Sequence, residues 1–349
     1  MNFKKVVLLA LLSPFFFASC NKDDDKIEAP LGAYDNGVLI LNQGGFGHGD
    51  ASLSYVSNDY VTFQNNIFSL VNPGKTLGDT GQDIGLYNDL AFVVLNYSNK
   101  IEVINRYTMV HVATIDSGLS NPRFIAFANG KGYVTNWGNG GSATDDYVAV
   151  VNLSTYLVSS KIPVVEGPER ILEYNNKIYV AHQGGYGYGK TISVINTDSN
   201  TVSATIEVGD VPNSLEVNNG NLYVVCGGKP VYAASETAGK LVKVNLANNT
   251  VSSTVNFAAA THPSNLDIEG NDIFKTNVSA TTLPTTALFS TTAQGVYGVY
   301  SFAVKNNAIY VGDAVDYSSN GKVYVYSTTG TLNKSYTVGV IPAGFYFNE

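Results

Sequence analysis

From residue 37 to the C-terminus, hydrophobic and polar positions alternate in short runs, each bounded by Gly, Asn or Asp. A period of two is that of a strand whose side chains point to opposite faces in turn. The runs come in sets of four. The clearest set is Gly167-Pro168-Glu169-Arg170-Ile171-Leu172, Lys177-Ile178-Tyr179-Val180, Thr191-Ile192-Ser193-Val194-Ile195-Asn196 and Thr201-Val202-Ser203-Ala204-Thr205-Ile206. The next set opens at Val211-Pro212-Asn213. Related openings stand at Asn121-Pro122-Arg123, His262-Pro263-Ser264 and Ile341-Pro342-Ala343, with degenerate ones at Gly81-Gln82-Asp83 and Val299-Tyr300-Ser301. Successive openings are 41, 46, 44, 51, 36 and 43 residues apart. Four strands in about 40–45 residues is the repeat of a β-propeller blade. The chain enters at Gly37-Val38-Leu39-Ile40-Leu41, patterned like a second strand, and ends at Ile341-Pro342-Ala343-Gly344-Phe345-Tyr346, patterned like a first. The expectation is an all-β, seven-bladed β-propeller over 34–349, closed by one blade that both termini share, which removes an exposed strand edge. A β-sandwich or solenoid is the alternative, and a sandwich would not repeat its strand motifs in this fixed order.

Composition sharpens this picture. Only 14% of the 349 residues are charged, while Gly (34) and Tyr (23) are abundant, as many strands and tight turns require. A net charge of −8 excludes a basic nucleic-acid binder. Hydrophobic content of 44% excludes a disordered chain, and two cysteines exclude a disulfide scaffold.

The first thirty residues are patterned as an address. Lys4 and Lys5 precede an apolar stretch from Val6 to Phe17, then Ala18-Ser19 and Cys20. This is the order of a lipoprotein signal peptide (1–19) with Cys20 as the lipidation site. Pro14 interrupts a run already shorter than the ~20 residues a membrane span needs. An acidic tether (20–33) follows, and Asn21-Lys22-Asp23-Asp24-Asp25-Lys26 resembles the export signal of surface lipoproteins of the Bacteroidota. An outer-membrane, lipid-anchored protein facing the extracellular side is expected. Cys226 is then a lone thiol, expected as a small buried filler.

In such a blade, the first-strand starts and the second-to-third-strand loops open on one face. Asn42-Gln43-Gly44-Gly45-Phe46-Gly47-His48-Gly49 and His182-Gln183-Gly184-Gly185-Tyr186-Gly187-Tyr188-Gly189 match each other, and Asn136-Trp137-Gly138-Asn139-Gly140-Gly141 carries the single tryptophan. Glycine permits close approach, aromatic rings give flat apolar contact area, and long loops on a rigid scaffold commonly bind. The second strands end at Asn42, Asn96, Asn136, His182, Cys226, Asn277 and Asp313. Beside them fall Gln82, Asp83, Arg123, Glu169, Arg170, Asn213, Asn265 and Tyr300 from the first-strand starts. The expectation is a polar floor of these residues, joined by Gln43, His48 and Gln183 and rimmed by Phe46, Trp137, Tyr186 and Tyr188. Single Asn and Asp residues at strand ends also commonly satisfy only their own turns. His48, His182 and His262 map to this face but lack close metal-ligand spacing, and no nucleophile elbow, phosphate loop or zinc-type Cys pair appears. A non-catalytic binding protein without a resident metal or cofactor is expected.

Gly132-Tyr133-Val134-Thr135-Asn136, followed by Val148-Ala149-Val150-Val151-Asn152, resembles the YVTN-type propeller repeat. More narrowly, Gly37 to Gly47 with Gly49-Asp50-Ala51-Ser52-Leu53-Ser54-Tyr55, Leu77-Gly78-Asp79 and Lys100-Ile101-Glu102-Val103-Ile104 resemble the DUF5074 propeller lipoproteins of the Bacteroidota. That resemblance implies capture of a small-molecule ligand, with a corrinoid of the vitamin B12 type as a candidate, for delivery to an outer-membrane TonB-dependent transporter. A glycan- or protein-binding surface propeller is the alternative. A propeller enzyme of the lactonase or quinoprotein type would need converging carboxylates and a bound cation or cofactor.

Overall fold

The computed structural model describes residues 31–259, 261–270, 272–276 and 299–349. The signal peptide, Cys20 and most of the tether lie outside the described residues, as do Asn277 and the remainder of the segment 277–298.

The chain is all-β, built from antiparallel sheets. β1 (Gly37–Asn42), β2 (Ser52–Ser57) and β3 (Phe63–Gln64) are followed by a short helix, α1 (Ile67–Val71). Four complete sheets come next in order: β4 (Gly81–Tyr87), β5 (Leu90–Leu95), β6 (Lys100–Asn105) and β7 (His111–Ile115); β8 (Pro122–Ala128), β9 (Lys131–Asn136), β10 (Tyr147–Asn152) and β11 (Leu157–Pro163); β12 (Pro168–Tyr174), β13 (Lys177–His182), β14 (Thr191–Asn196) and β15 (Thr201–Glu207); β16 (Pro212–Asn218), β17 (Asn221–Cys226), β18 (Lys240–Asn245) and β19 (Thr250–Asn256). β20 (Ser264–Glu269) and β21 (Asp272–Thr276) form a pair, and β22 (Ser301–Lys305), β23 (Ala308–Asp313), β24 (Asn320–Ser327) and β25 (Leu332–Val340) a further sheet. The last strand, β26 (Pro342–Asn348), returns to the beginning of the chain and pairs with β1, so one sheet has the order β26-β1-β2-β3. The expected sharing of a sheet by the two ends is therefore present.

Turn chemistry explains the tight hairpins between first and second strands. Asn129-Gly130, Asn175-Asn176, Asn219-Gly220 and Asn306-Asn307 all hold both residues at positive φ. Two consecutive left-handed residues suit the two-residue turn whose twist matches the flanking strands, and Asn and Gly enter that region at least cost.

The second and third strands are buried on both faces, which is why they read as nearly continuous apolar runs. In β5, Ala91, Val93 and Leu95 pack into a layer shared with Leu39, Leu41 and Leu53 of the preceding sheet. The intervening Phe92 and Val94 pack into the next layer, with Ile125, Val134 and Tyr147. The core is thus a series of layers between neighbouring sheets. First strands also touch in succession: β26 with β4, then β8, β12, β16, β20 and β22, and β22 with β26.

The terminal strand is riveted by Asn348, fully buried, whose Nδ2 donates to Tyr34 O at 2.6 Å and Arg106 O at 2.7 Å. Asn348→Ala leaves both carbonyls without this donor, so urea denaturation is expected to show a loss of about 2–3 kcal/mol. An unchanged midpoint would mean that water replaces the amide at no cost.

Candidate functional site

The first strands deliver their N-terminal side chains through a recurring distortion. In β4, β16 and β20 one extra residue, Gln82, Asn213 or Asn265, interrupts the register with the second strand. In β8 and β12 the shift covers Arg123-Phe124 and Glu169-Arg170. A bulge bends its strand and re-aims side chains, and all of these but Phe124 are residues expected at the site. The residue before each of five first strands is left-handed: Thr80 (φ 58°), Asn121 (54°), Gly167 (66°), Val211 (58°) and Ile341 (56°). For the β-branched members this is strained, by about 1–3 kcal/mol each. The same bond holds every one of them, because their carbonyls accept the amides of Asn96, Trp137, Gln183, Gly227 and Gln43 just past the second strands.

On this face lies a wide cavity of about 730 Å³. Phe46, Asn96, Arg123, Trp137 and Tyr186, all expected site residues, line it together with Tyr97, Asn99, Asn121 and Asn139. The Arg123 guanidinium stacks over the Trp137 ring at 4.4 Å and makes a two-pronged bond to buried Glu169, Nε to Oε2 at 2.9 Å and Nη2 to Oε1 at 2.7 Å. Trp137 Nε1 donates to Pro168 O at 3.1 Å, which fixes the indole. Tyr186, 81% exposed, stands edge-to-face with it, ring centroids 6.0 Å apart, and Phe46 packs on Tyr97 with centroids 4.4 Å apart. Asn96 Nδ2 donates to Asn121 Oδ1 and to Pro122 O. The walls are therefore aromatic, the rim is rich in amides, and the charge of Arg123 is matched internally. Tyr300 donates to Gln43 Oε1 at 2.6 Å; burial, above all, raises its phenol pKa, and Arg123 and Glu169 are close enough to act on it.

The second-strand ends do not form an open floor. Asn42, Asn136 and His182 are fully buried. Asn42 Nδ2 donates to Ser52 Oγ and Ser54 Oγ, Asn136 Oδ1 accepts the Ser120 amide, and His182 Nε2 meets Ser193 Oγ at 2.8 Å. Burial holds the His182 pKa down at about 4, so its ring is neutral at physiological pH. These polar groups close strand ends instead of facing a ligand. Asn213 donates to Pro263 O, and the bulged Gln82 is half-buried. His48, Gln183 and Tyr188 are absent from the lining of the wide cavity. Cys226 is buried, its thiol pushed up to about 12 by burial.

Three expected residues, Asp83, Arg170 and Asn265, line the channel between the first strands instead of the aromatic cavity. Asp83 is buried, accepts the Ile125 amide at 2.9 Å and the Tyr346 hydroxyl at 3.0 Å, and has its pKa raised to about 6 by burial. Arg170 stacks on Phe124 at 4.2 Å and lines a cavity of about 390 Å³ with Glu216. Burial, then the nearby Asp267, lifts the Glu216 carboxyl to about 8, with Arg170 opposing. Asp267 itself is raised to about 6, by burial first. Sequence reading missed Tyr97 and Glu216. Tyr97 had a signal, since it follows Asn96 as Trp137 follows Asn136.

A carboxyl raised in the folded state keeps a proton that the unfolded chain releases, so stability is fullest below the unfolded value and falls as pH rises toward the folded one. For Glu216 that window runs from about pH 4.5 to 8. Glu216→Gln is expected to be more stable than the parent at pH 8, on the order of 2 kcal/mol after allowance for its partial exposure. The gap should close toward pH 4. Urea titrations across that range check this, and parallel profiles would show that the carboxyl titrates normally.

Among solved structures, the chain is similar to a quinoprotein alcohol dehydrogenase-like protein from Bacteroides thetaiotaomicron, at 14% identity over 90% of this chain and 79% of that one, with a TM-score of 0.59. It is also similar to a putative 6-phosphogluconolactonase from Bacteroides fragilis (10% identity, 91% and 99% covered, TM-score 0.58) and to BamB from Moraxella catarrhalis (13%, 88% and 85%, 0.51). At these identities the likeness concerns the fold alone, which is propeller-like. No curated protein matches the sequence. The family described as Domain of unknown function (DUF5074) matches residues 36–348. The chain belongs to the DUF5074 family.

Proposed function

We propose that the chain is a non-catalytic capture protein, a closed seven-bladed propeller that holds a small molecule in the aromatic cavity. The observation that carries this reading is the cavity itself, about 730 Å³ between Phe46, Tyr97, Trp137 and Tyr186 over the Arg123–Glu169 pair. Its volume suits a ligand larger than a single sugar or amino acid. Because Glu169 already neutralises Arg123, the cavity favours an uncharged ligand face: rings against the aromatics, amides or hydroxyls against Asn96, Asn99, Asn121 and Asn139. A corrinoid, with a broad apolar ring edge and peripheral amides, answers to that description.

In this reading Cys20 carries the lipid anchor, the protein sits on the outer membrane facing outward, and the ligand passes to a TonB-dependent transporter. A glycan is the second reading, favoured by the 81% exposure of Tyr186, whose ring is open to stacking against a sugar.

Calorimetric titration with cyanocobalamin tests the first. Binding at micromolar concentration or tighter is expected, with Trp137→Ala and Tyr186→Ala each weakening it by about tenfold or more. Trp137, the single tryptophan, should report the same event through its fluorescence. Absence of heat removes the corrinoid assignment, and binding indifferent to both substitutions removes the cavity.

A further inference from the structure

The channel between the first strands offers a second site, separate from the aromatic cavity. Cavities of about 390 and 200 Å³ meet there, sharing Arg170, Leu215 and Glu216. One wall is charged. The other is apolar, with Phe302, Phe345 and Phe347. Five ionisable groups line the two cavities, Asp83, Arg170, Glu173, Glu216 and Asp267, and they differ in one respect. Glu173 accepts the Asn176 amide at 2.7 Å. The carboxylate oxygens of Asp83 are engaged by the Ile125 amide and the Tyr346 hydroxyl. Those of Asp267 are engaged by the Ile268 and Val304 amides, at 2.8 and 2.6 Å. The side chains of Arg170 and Glu216 make no hydrogen bond or close ion pair among the described residues; Arg170 stacks on Phe124 and acts on Glu216 and Asp83 only through space.

A guanidinium and a carboxyl facing one cavity without pairing leave strong donors and acceptors unmatched in a partly dry space. A plain anion would meet four carboxyls. A plain cation would leave the Arg170 donors idle. A molecule with both charges satisfies both groups, and the phenylalanine wall suits an apolar side chain.

We propose that this channel binds an α-amino acid with an apolar side chain, its carboxylate held two-pronged by Arg170, its ammonium by Glu216, and its side chain against Phe302, Phe345 and Phe347. Burial keeps Glu216 protonated at neutral pH in the empty channel, with a pKa of about 8. The arriving ammonium favours the carboxylate, so binding releases that proton to solvent.

The test is calorimetry on the full chain at pH 7, in two buffers of different ionisation enthalpy, with L-phenylalanine, phenethylamine and 3-phenylpropionate. L-phenylalanine is expected to bind with release of up to about one proton, and each half-molecule to bind about tenfold more weakly or worse. Arg170→Lys keeps the charge but loses the two-pronged contact, and should weaken binding by about tenfold. Glu216→Gln should weaken it comparably and abolish the proton release. Circular dichroism establishes that both variants are folded. No heat from L-phenylalanine at millimolar concentration overturns the proposal. So does phenethylamine binding as well as the amino acid with Arg170→Lys unaffected, which would mark the channel as a site for cations.

Discussion

Everything in this structure depends on sheets that are apolar on both faces. No sheet of this kind is stable alone, because burying one face leaves the other in water, and each apolar residue so exposed forgoes about 1.5–3 kcal/mol. In β10, Tyr147, Ala149 and Val151 need the preceding sheet while Val148 and Val150 need the following one. The second and third strands are consequently wedged. The loops on one face and the bulged starts of the first strands are left to line the cavities.

Carboxyl groups in the channel divide by role for the same reason. Asp83 accepts the amide of Ile125 and Asp267 that of Val304, each reaching from one first strand to the next. These are inter-sheet bonds, placed where the strands lie against one another but cannot share a ladder. Thr135 Oγ1 makes a comparable link to Glu169 O. Glu216 has no such duty, which sets it apart although the sequence alone gives it no distinguishing mark.

Much of the fold was legible in the sequence because the repeat is written in strand pattern and turn residues, which are local. Pro122, Pro168, Pro212 and Pro342 mark first-strand starts in the structure as they do in the sequence. The loop aromatics Phe46, Trp137 and Tyr186 were likewise readable, since few roles other than contact suit exposed rings. Strand-end polarity misled. Asn42, Asn136 and His182 look like an open floor by position alone, yet their side chains turn inward to Ser52, Ser120 and Ser193. Strand pattern gives which residue ends a strand; it does not give which way that residue turns once a left-handed neighbour and a bulge reshape the backbone beside it. Asp83 and Arg170 were expected on the loop face for the same reason, and the bulges instead carry them into the channel.

The pairing of β1 with β26 has a mechanical consequence. Gly37 lies opposite Asn348, so both outer ends of this antiparallel pair sit at the same edge of the sheet. A force drawing the two ends of the chain apart therefore loads one rung at a time, as in opening a zipper, and never the whole ladder in shear. Resistance begins at Glu349, held by Arg106, Asn306 and Lys305, and at Asn348, whose amide grips Tyr34 and Arg106. Once that grip yields, the remaining rungs follow toward Asn42, and the sheet that holds both ends of the chain is the first to come apart.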